Sequence, residues 1–268
     1  MSLRINTNVS ALNAYNNLNK VSKQTETSLT KLSSGYRINS AADDAAGLSI
    51  SEKMRGQIGG LNQAMRNISD GVSMIQTAEG SLTEVHSMLQ RVRDLAVQYK
   101  NSTNSTADRT AIQSEVNQLA SEIERIGSSA KFNGISLLNS AGAVTFQVGA
   151  EDSQEISVAT ISVGSTVGTS FYSLTATGTS DISEIDAAIN SISAARATFG
   201  AVQNRLEYTY NAQSAYAENL TAAESRIRDV DMASEMVKFT KNQILSQAAN
   251  SMLAQANQAP QGVLRLLG

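Results

Sequence analysis

A seven-residue repeat of apolar side chains is the feature that most constrains the fold of this chain. The repeat is unbroken at Met54, Leu61, Ile68, Ile75, Leu82, Leu89 and Ala96. A second apolar line runs beside it, four residues after the early members and three residues after the later ones, as a helix with 3.6 residues per turn requires. The pattern predicts one helix from Met54 to Tyr99, about 70 Å long, and an elongated molecule.

Two further segments carry the same helical period. Their apolar positions are Ile112, Val116, Leu119, Ile123 and Ile126 in the first, and Ile185, Ile192, Phe199, Leu206, Leu220 and Ile227 in the second. Three such helices can share one apolar seam. The sequence therefore predicts a mainly α fold, an elongated discontinuous helical bundle or coiled coil.

The middle of the chain has a different period. Val144, Phe146 and Val148 alternate with polar residues, residues 149–152 are typical of a turn, and Ile156 and Val158 resume the alternation. This pattern predicts a β-hairpin. Residues 164–180 are rich in Gly, Ser and Thr, which favours a surface loop with a short strand. A small β-hairpin and loop insert is expected at 141–180, between two parts of a long-helix bundle at 45–140 and 181–227.

The two ends of the chain form helical arms that we expect to pair, residues 1–44 with residues 228–268. An isolated arm buries too little apolar surface to offset the entropy of ordering it, so we expect the arms to fold as several copies assemble. Asp43 and Asp44 precede the long helix and predict a capped connector between arm and bundle. The last helix is expected to end before Pro260, because an interior proline costs about 3 kcal/mol. The predicted assembly seam consists of Ile5, Val9, Leu12, Leu29, Leu32, Val230, Val237, Ile244, Met252 and Leu253.

Composition and motifs exclude several classes of function. The chain has no Cys, so it offers neither a disulfide nor a thiolate metal site. Its one histidine, His86, lies outside any zinc-protease spacing and is interpreted as a lone exposed helix residue. No phosphate loop, nucleophile elbow or dinucleotide fingerprint occurs. We expect no catalysis, no cofactor and no metal.

Charge and hydropathy limit the partners in a similar way. The net charge of −3 gives no reason to expect nucleic acid. No segment approaches the length of a membrane span, so membrane insertion is not expected. The N-terminus lacks the apolar stretch of a common secretory signal. If the protein is exported, we expect a different route.

Six blocks of sequence resemble the bacterial flagellin family, in the family's order. They are INTNVSALNAYNNLNK at 5–20, LSSGYRINSAADDAAGLSIS at 32–51, QRVRDLAVQ at 90–98, FNGISLL at 132–138, GAVQNRLE at 200–207 and ILSQAANSMLAQANQAPQGVLRLL at 244–267. The resemblance implies a subunit of the extracellular flagellar filament, with many copies of itself as its main partner. The terminal arms would line a tube and the bundle would form a shell around it.

The resemblance also implies further partners. Family members leave the cell unfolded through the flagellar type III export channel, and a dedicated export chaperone shields the C-terminal helix beforehand. Hook-associated and cap proteins lie at the two ends of the filament. A toll-like receptor of animals senses the family, and Arg91, Leu95 and Glu115 would be its contacts, although Leu95 can equally be an ordinary residue near the apolar seam. Asp94 and Ala42 depart from residues common in the family, which puts receptor sensing in doubt.

Two other interpretations remain open on the sequence. A flagellar hook-filament junction protein has similar helical ends but assembles in few copies. An enzyme could also be housed in the middle insert, as in some family members, although the insert is small and lacks His and Cys. Unlimited polymerisation would distinguish the filament subunit from the junction protein, and an activity screen would test for the enzyme.

Overall fold

The computed structural model describes residues 8–167, 173–175 and 181–267, the side chains of 166 and 259–267 excepted. Over these residues the chain forms α1 (Val9–Ser34), α2 (Ala45–Tyr99), α3 (Thr106–Ser129), β1 (Lys131–Phe132), β2 (Ile135–Ser136), β3 (Gly142–Gln147), β4 (Glu155–Thr160), α4 (Val163–Val167), α5 (Asp181–Arg228) and α6 (Met232–Leu267). The mainly α fold with a small β region is confirmed.

The chain divides into two compact units. One unit contains the described residues up to Gly56 together with those from Asn219 onward, and the other is Gln57–Glu218. We call them the arm unit and the bundle unit. Both boundaries fall inside long helices, within α2 and within α5.

The core of the bundle unit follows the seven-residue repeat. Leu61, Ile68, Ile75, Leu82, Leu89 and Ala96 of α2 are all buried, and α3 and α5 contribute their own repeats to the same core cluster. The residues that the α5 repeat contributes to this seam are Ile185, Ile192, Phe199 and Leu206. The prediction of three helices around one apolar seam is therefore confirmed as far as Leu206, whereas Leu220 and Ile227 of the same repeat are half-buried and belong to the arm unit.

The predicted hairpin is also confirmed. Strands β3 and β4 are antiparallel, with Val144 opposite Val158 and Phe146 opposite Ile156. Gly60 of α2 lies under the hairpin turn, because a Cβ there would stand 3.0 Å from the Cβ of Ala150. The two elements can approach this closely only if residue 60 carries no side chain.

Two predictions of local structure are wrong. Residues 164–167, expected to be loop, belong to the short helix α4, since Val163 and Val167 turn inward and join the apolar core. Of residues 168–180, the structure describes only 173–175, and these contain no strand. The last helix does not end before Pro260, because α6 continues to Leu267.

Candidate assembly surfaces

Helices α1 and α6 lie against each other in the arm unit. The buried and half-buried positions of both helices alternate by three and four residues, as in a coiled coil. On α1 they are Ala11, Ala14, Leu18, Val21, Thr25 and Ser28, and on α6 they are Glu235, Phe239, Asn242, Ser246, Ala249, Leu253 and Ala256. The line of contact between the arms is thus rich in small and polar residues.

Phe239, Leu18 and Leu253 lie in this contact, but many other large apolar side chains of the arms lie away from it. Six of the predicted assembly residues are between 56% and 70% exposed: Val9, Leu12, Leu29, Val237, Ile244 and Met252. Tyr15, Met232, Met236 and Leu245 are exposed as well. Of the other predicted residues, Leu32, Val230 and Leu253 are half-buried, and Ile5 lies outside the described residues. Large apolar side chains exposed in this number on one pair of helices indicate an interaction site.

A buried carboxylate joins the two arms near one end of their contact. Glu235 of α6 is 6% exposed and accepts a hydrogen bond of 2.7 Å from the Ser28 hydroxyl of α1. Lys238 donates a second bond of 2.9 Å. Burial raises the pKa of Glu235, but the hydrogen bonds from Ser28 and Lys238, with the charges of Lys238 and Lys31, outweigh it and leave the pKa below its ordinary value. The carboxylate is therefore held in its charged form.

Lysines surround this carboxylate on both helices. They line an open groove between α1 and α6, together with Glu235, and are Lys20, Lys23, Lys31, Lys238 and Lys241. The groove gives this side of the arm pair a positive field. Three of the five lysines, Lys20, Lys23 and Lys31, belong to α1.

A second polar cluster of the arm unit lies where α1 ends and α6 begins. Tyr36 forms a β-bridge with Asp229, and Arg37 N–H donates to the Arg228 carbonyl at 2.6 Å while Val230 N–H donates to the Gly35 carbonyl at 3.0 Å. The chain between α1 and α2 is therefore bonded to the chain between α5 and α6. We call this contact, residues 35–37, 51–52 and 224–230, the joint.

Arg228 is the central side chain of the joint. It is buried, lies 4.8 Å from the centroid of the Tyr36 ring, and donates to Glu52 at 2.5 Å and to Ser51 at 3.3 Å. Its hydrogen bond to Glu52 is the main cause that lowers the pKa of that carboxyl. Ser51 donates in turn to Glu224 at 2.9 Å. Nothing in the apolar pattern of the sequence indicates this cluster.

The two connector aspartates cap the turn and the start of α2. Asp43 accepts hydrogen bonds from the backbone of Ser40 and Asn39, and these, led by Ser40, lower its pKa. Asp44 accepts from Gly47 N–H at 2.9 Å. A Cβ on Gly47 would lie 2.5 Å from the Asp44 carboxylate and 2.7 Å from Ile38, so the turn requires glycine there.

The residues predicted to contact the receptor lie in the bundle unit. Arg91 of α2 binds Glu115 of α3 through two hydrogen bonds of 2.9 and 2.7 Å, and both side chains are about half exposed, at 54% and 44%. Leu95 is 2% exposed and belongs to the apolar core. The structure thus presents Arg91 and Glu115 at the surface, with Leu95 beneath it.

His86 occupies an ordinary helix position. It is half-buried rather than exposed, because it borders the core residue Val85, and its Nε2 lies 3.0 Å from the Gln90 amide nitrogen. Among the described residues, no group of three or more His, Cys, Asp or Glu side chains could hold a metal ion. No helix in the described ranges is long and apolar enough to cross a membrane.

Comparison with known families accounts for both units. Residues 5–143 match the bacterial flagellin N-terminal helical region, and residues 182–267 match the bacterial flagellin C-terminal helical region. The chain belongs to the bacterial flagellin family. Flagellins are structural proteins of the extracellular flagellar filament, so this flagellin is a filament subunit that assembles with many copies of itself and is not an enzyme.

Individual relatives agree with this assignment over nearly the whole length. The flagellin is 48% identical to flagellin of Bacillus subtilis over 99% of this chain and 100% of the relative, and 51% identical to flagellin of Halalkalibacterium halodurans over 98% and 99%. The crystal structure of Bacillus cereus flagellin is 32% identical, with a TM-score of 0.51, over 59% of this chain and 94% of that one. A structure described as a flagellar hook-associated protein of Vibrio parahaemolyticus, 14% identical with a TM-score of 0.54 over 70% of this chain and 100% of that one, shares the fold alone.

Proposed function

We propose that this flagellin polymerises through the outward apolar faces of α1 and α6 into a helical filament that a cell uses for swimming. One observation carries the proposal. The line of contact between the two arms is rich in small and polar residues, and many of the large apolar side chains of both helices are left exposed. Within the part of the chain that the structure describes nothing covers these side chains, and neighbouring copies would cover them.

The energies favour assembly of this kind. Complete burial of a Val, Leu, Ile or Met side chain stabilises by about 2 kcal/mol, so covering one that is already half buried contributes about 1 kcal/mol. Several such residues on each copy act together. Where the α1 face of one copy meets the α6 face of the next, the contact is heterologous, and such contacts extend into a filament when the rotation between copies does not close a ring.

The exposed face of α6 also fits the proposed path to the filament. We propose that the chain leaves the cell unfolded through the flagellar type III channel, and that an export chaperone first covers the apolar side chains of α6. A chain without Cys cannot be trapped by disulfides on this path. Hook-associated and cap proteins are the proposed neighbours of the first and last subunits, where the same faces would otherwise remain open.

Recognition by a flagellin-sensing toll-like receptor is a further proposal, based on family resemblance. The exposed Arg91 and Glu115 support it, because their pair offers a charged surface across α2 and α3. Leu95 would act beneath this surface by fixing the two helices, since its side chain is buried.

Matched substitutions test the assembly proposal. Val237→Ser with Ile244→Ser removes two exposed apolar side chains of α6, and Val97→Ser removes one of similar exposure, 50%, from the bundle unit. We expect the α6 variant to stay unpolymerised at concentrations where the wild type and the Val97 variant form filaments. Deletion of 244–268 should have the same effect. Filaments of the deleted chain under the electron microscope would show that the arms are not the assembling part.

The rival function, a hook-filament junction protein, differs in the extent of assembly. The purified wild-type chain is expected to grow filaments whose length increases with protein concentration. A junction protein would stop at a small oligomer. Sedimentation of the wild type as a discrete ring of few copies would therefore favour the rival.

A further inference from the structure

Asn8 is bonded to both arms at once. Its side-chain oxygen accepts a hydrogen bond of 3.0 Å from Ala11 N–H and thereby caps the start of α1. Its side-chain nitrogen donates a bond of 2.7 Å to the carbonyl of Ala256 in α6. One amide therefore fixes the beginning of one helix to a defined point on the other.

The carbonyl that Asn8 binds lacks its usual helical partner. In an α-helix the carbonyl of residue 256 accepts from the N–H of residue 260, and here residue 260 is proline, which has no N–H. The helix nevertheless continues to Leu267. The proline leaves the Ala256 carbonyl open within the helix, and the Asn8 amide supplies the missing donor.

A second polar contact lies far along the same pair of helices. Ser28 and Glu235 are joined at 2.7 Å. Twenty residues separate Asn8 from Ser28, and twenty-one separate Glu235 from Ala256, so the two contacts are spaced by about 30 Å along both antiparallel helices at 1.5 Å per residue. A shift of one helix by one turn would break both contacts together.

We propose that Asn8 and Pro260 act as one device that sets the register of α1 against α6. The line between the arms is rich in small and polar residues, which specify register weakly, whereas a polar contact with a single partner specifies it strongly. Register decides how the exposed apolar residues of α1 align with those of α6. The device therefore defines the surface offered to neighbouring copies, and in this respect the inference rests on the proposed function.

Cysteine cross-linking can read the register directly, because the natural chain contains no Cys. The full-length chain carries Leu18→Cys combined in turn with Asn242→Cys, Ser246→Cys or Ala249→Cys, all at half-buried positions. Interpolation between the two polar contacts places residue 18 opposite residue 246. We expect the disulfide to form mainly with residue 246 in the chain that retains Asn8 and Pro260.

Asn8→Asp separates the cap from the contact between helices. Aspartate keeps the oxygen that caps α1 and loses the N–H that binds the Ala256 carbonyl. We expect the disulfide yield to spread to residues 242 and 249 and the critical concentration for polymerisation to rise about tenfold. Asn13→Asp, at an exposed position of the same helix, is the matched control and should change neither.

Adding Pro260→Ala to Asn8→Asp distinguishes positioning from general stability. The alanine N–H can satisfy the Ala256 carbonyl, so the critical concentration should recover by about threefold or more, while the disulfide pattern stays spread. Asn8→Asp chains that cross-link at residue 246 as the wild type does would overturn the inference and leave the proposed function standing. Filament formation by the wild type is scored separately by microscopy, and cross-links are read in pelleted filaments of each variant, because the arms are expected to fold as copies assemble.

Discussion

Removing the Arg228 side chain should open the joint locally. The guanidinium lies 4.8 Å from the Tyr36 ring, and a partly desolvated pair of this kind is worth about 1 kcal/mol. The buried aliphatic part of Arg228 contributes about 1 kcal/mol more. Glu52, whose side chain is 53% exposed, can be hydrated when its partner is lost. Arg228→Ala is therefore expected to reduce the stability of the joint by about 2 kcal/mol.

Hydrogen exchange measures this change where it occurs. The N–H groups of Arg37 and Val230 form the backbone bonds of the joint, and neither bond involves the substituted side chain. A loss of about 2 kcal/mol in local opening free energy corresponds to about thirtyfold faster exchange of these amides. Arg228→Lys keeps the charge but loses the planar contact with Tyr36, so its amides should exchange at an intermediate rate.

Arg226→Ala provides the comparison. Arg226 lies in the same last turn of α5 and is exposed, so its removal should leave the two amides within about twofold of the wild type. If Arg228→Ala accelerated exchange no more than Arg226→Ala did, the buried cation would not be holding the joint, and the reasoning from burial and ring contact would fail.

Three further predictions concern the arm pair and the bundle. The pKa of Glu235 is lowered in the folded chain, so its stabilisation of the arm pair is fully present above the ordinary Glu pKa and is lost as pH falls through the folded value. Acid titration of filaments should therefore loosen the arm pair, and Ser28→Ala should move this loosening to higher pH. The same loosening pH in the variant and the wild type would refute the prediction. Gly59→Ala faces open space and should raise the melting temperature through about 0.5–1 kcal/mol of helix propensity, whereas Gly60→Ala, which meets Ala150 at 3.0 Å, should gain less or lose. Leu89→Ala should lower the unfolding free energy of the bundle by about 2–5 kcal/mol in a denaturant titration, and a loss below about 1 kcal/mol would mean that the seam is not the core.

The bundle was predictable because its residues obey one rule. Every position of the seven-residue repeat from Leu61 to Ala96 is apolar, and each is buried in the structure. Burial of apolar side chains is the dominant favourable energy, so a regular apolar pattern on three helices leaves few alternatives. The hairpin was predictable for the same reason, because its apolar residues recur at every second position, as in a strand with one buried face.

The arms were less predictable because their apolar residues have more than one neighbour. A pattern of large apolar side chains such as Val237 and Ile244 shows that cover is needed but not which partner supplies it. The contact between α1 and α6 uses residues such as Ala14 and Ser246, which carry little signal in a sequence. Whether the predicted seam residues meet in the filament remains a prediction.

Polar contacts account for the wrong end of the last helix and for the omission of the joint. The prediction that the last helix ends before Pro260 considered the lost N–H alone, and the structure supplies another donor from a residue 248 positions away. The joint around Arg228 likewise brings together residues distant in sequence. Hydrogen bonds of this kind have no period, so a single sequence does not reveal them.

The half-buried His86 allows the bundle unit to be followed by NMR without a label on any other residue. Since the sequence has a single histidine, one pair of carbon-bound imidazole proton signals in an NMR spectrum reports on one known place beside the core. The chain thus carries an internal probe that can follow subunit joining in real time, with no foreign reporter group.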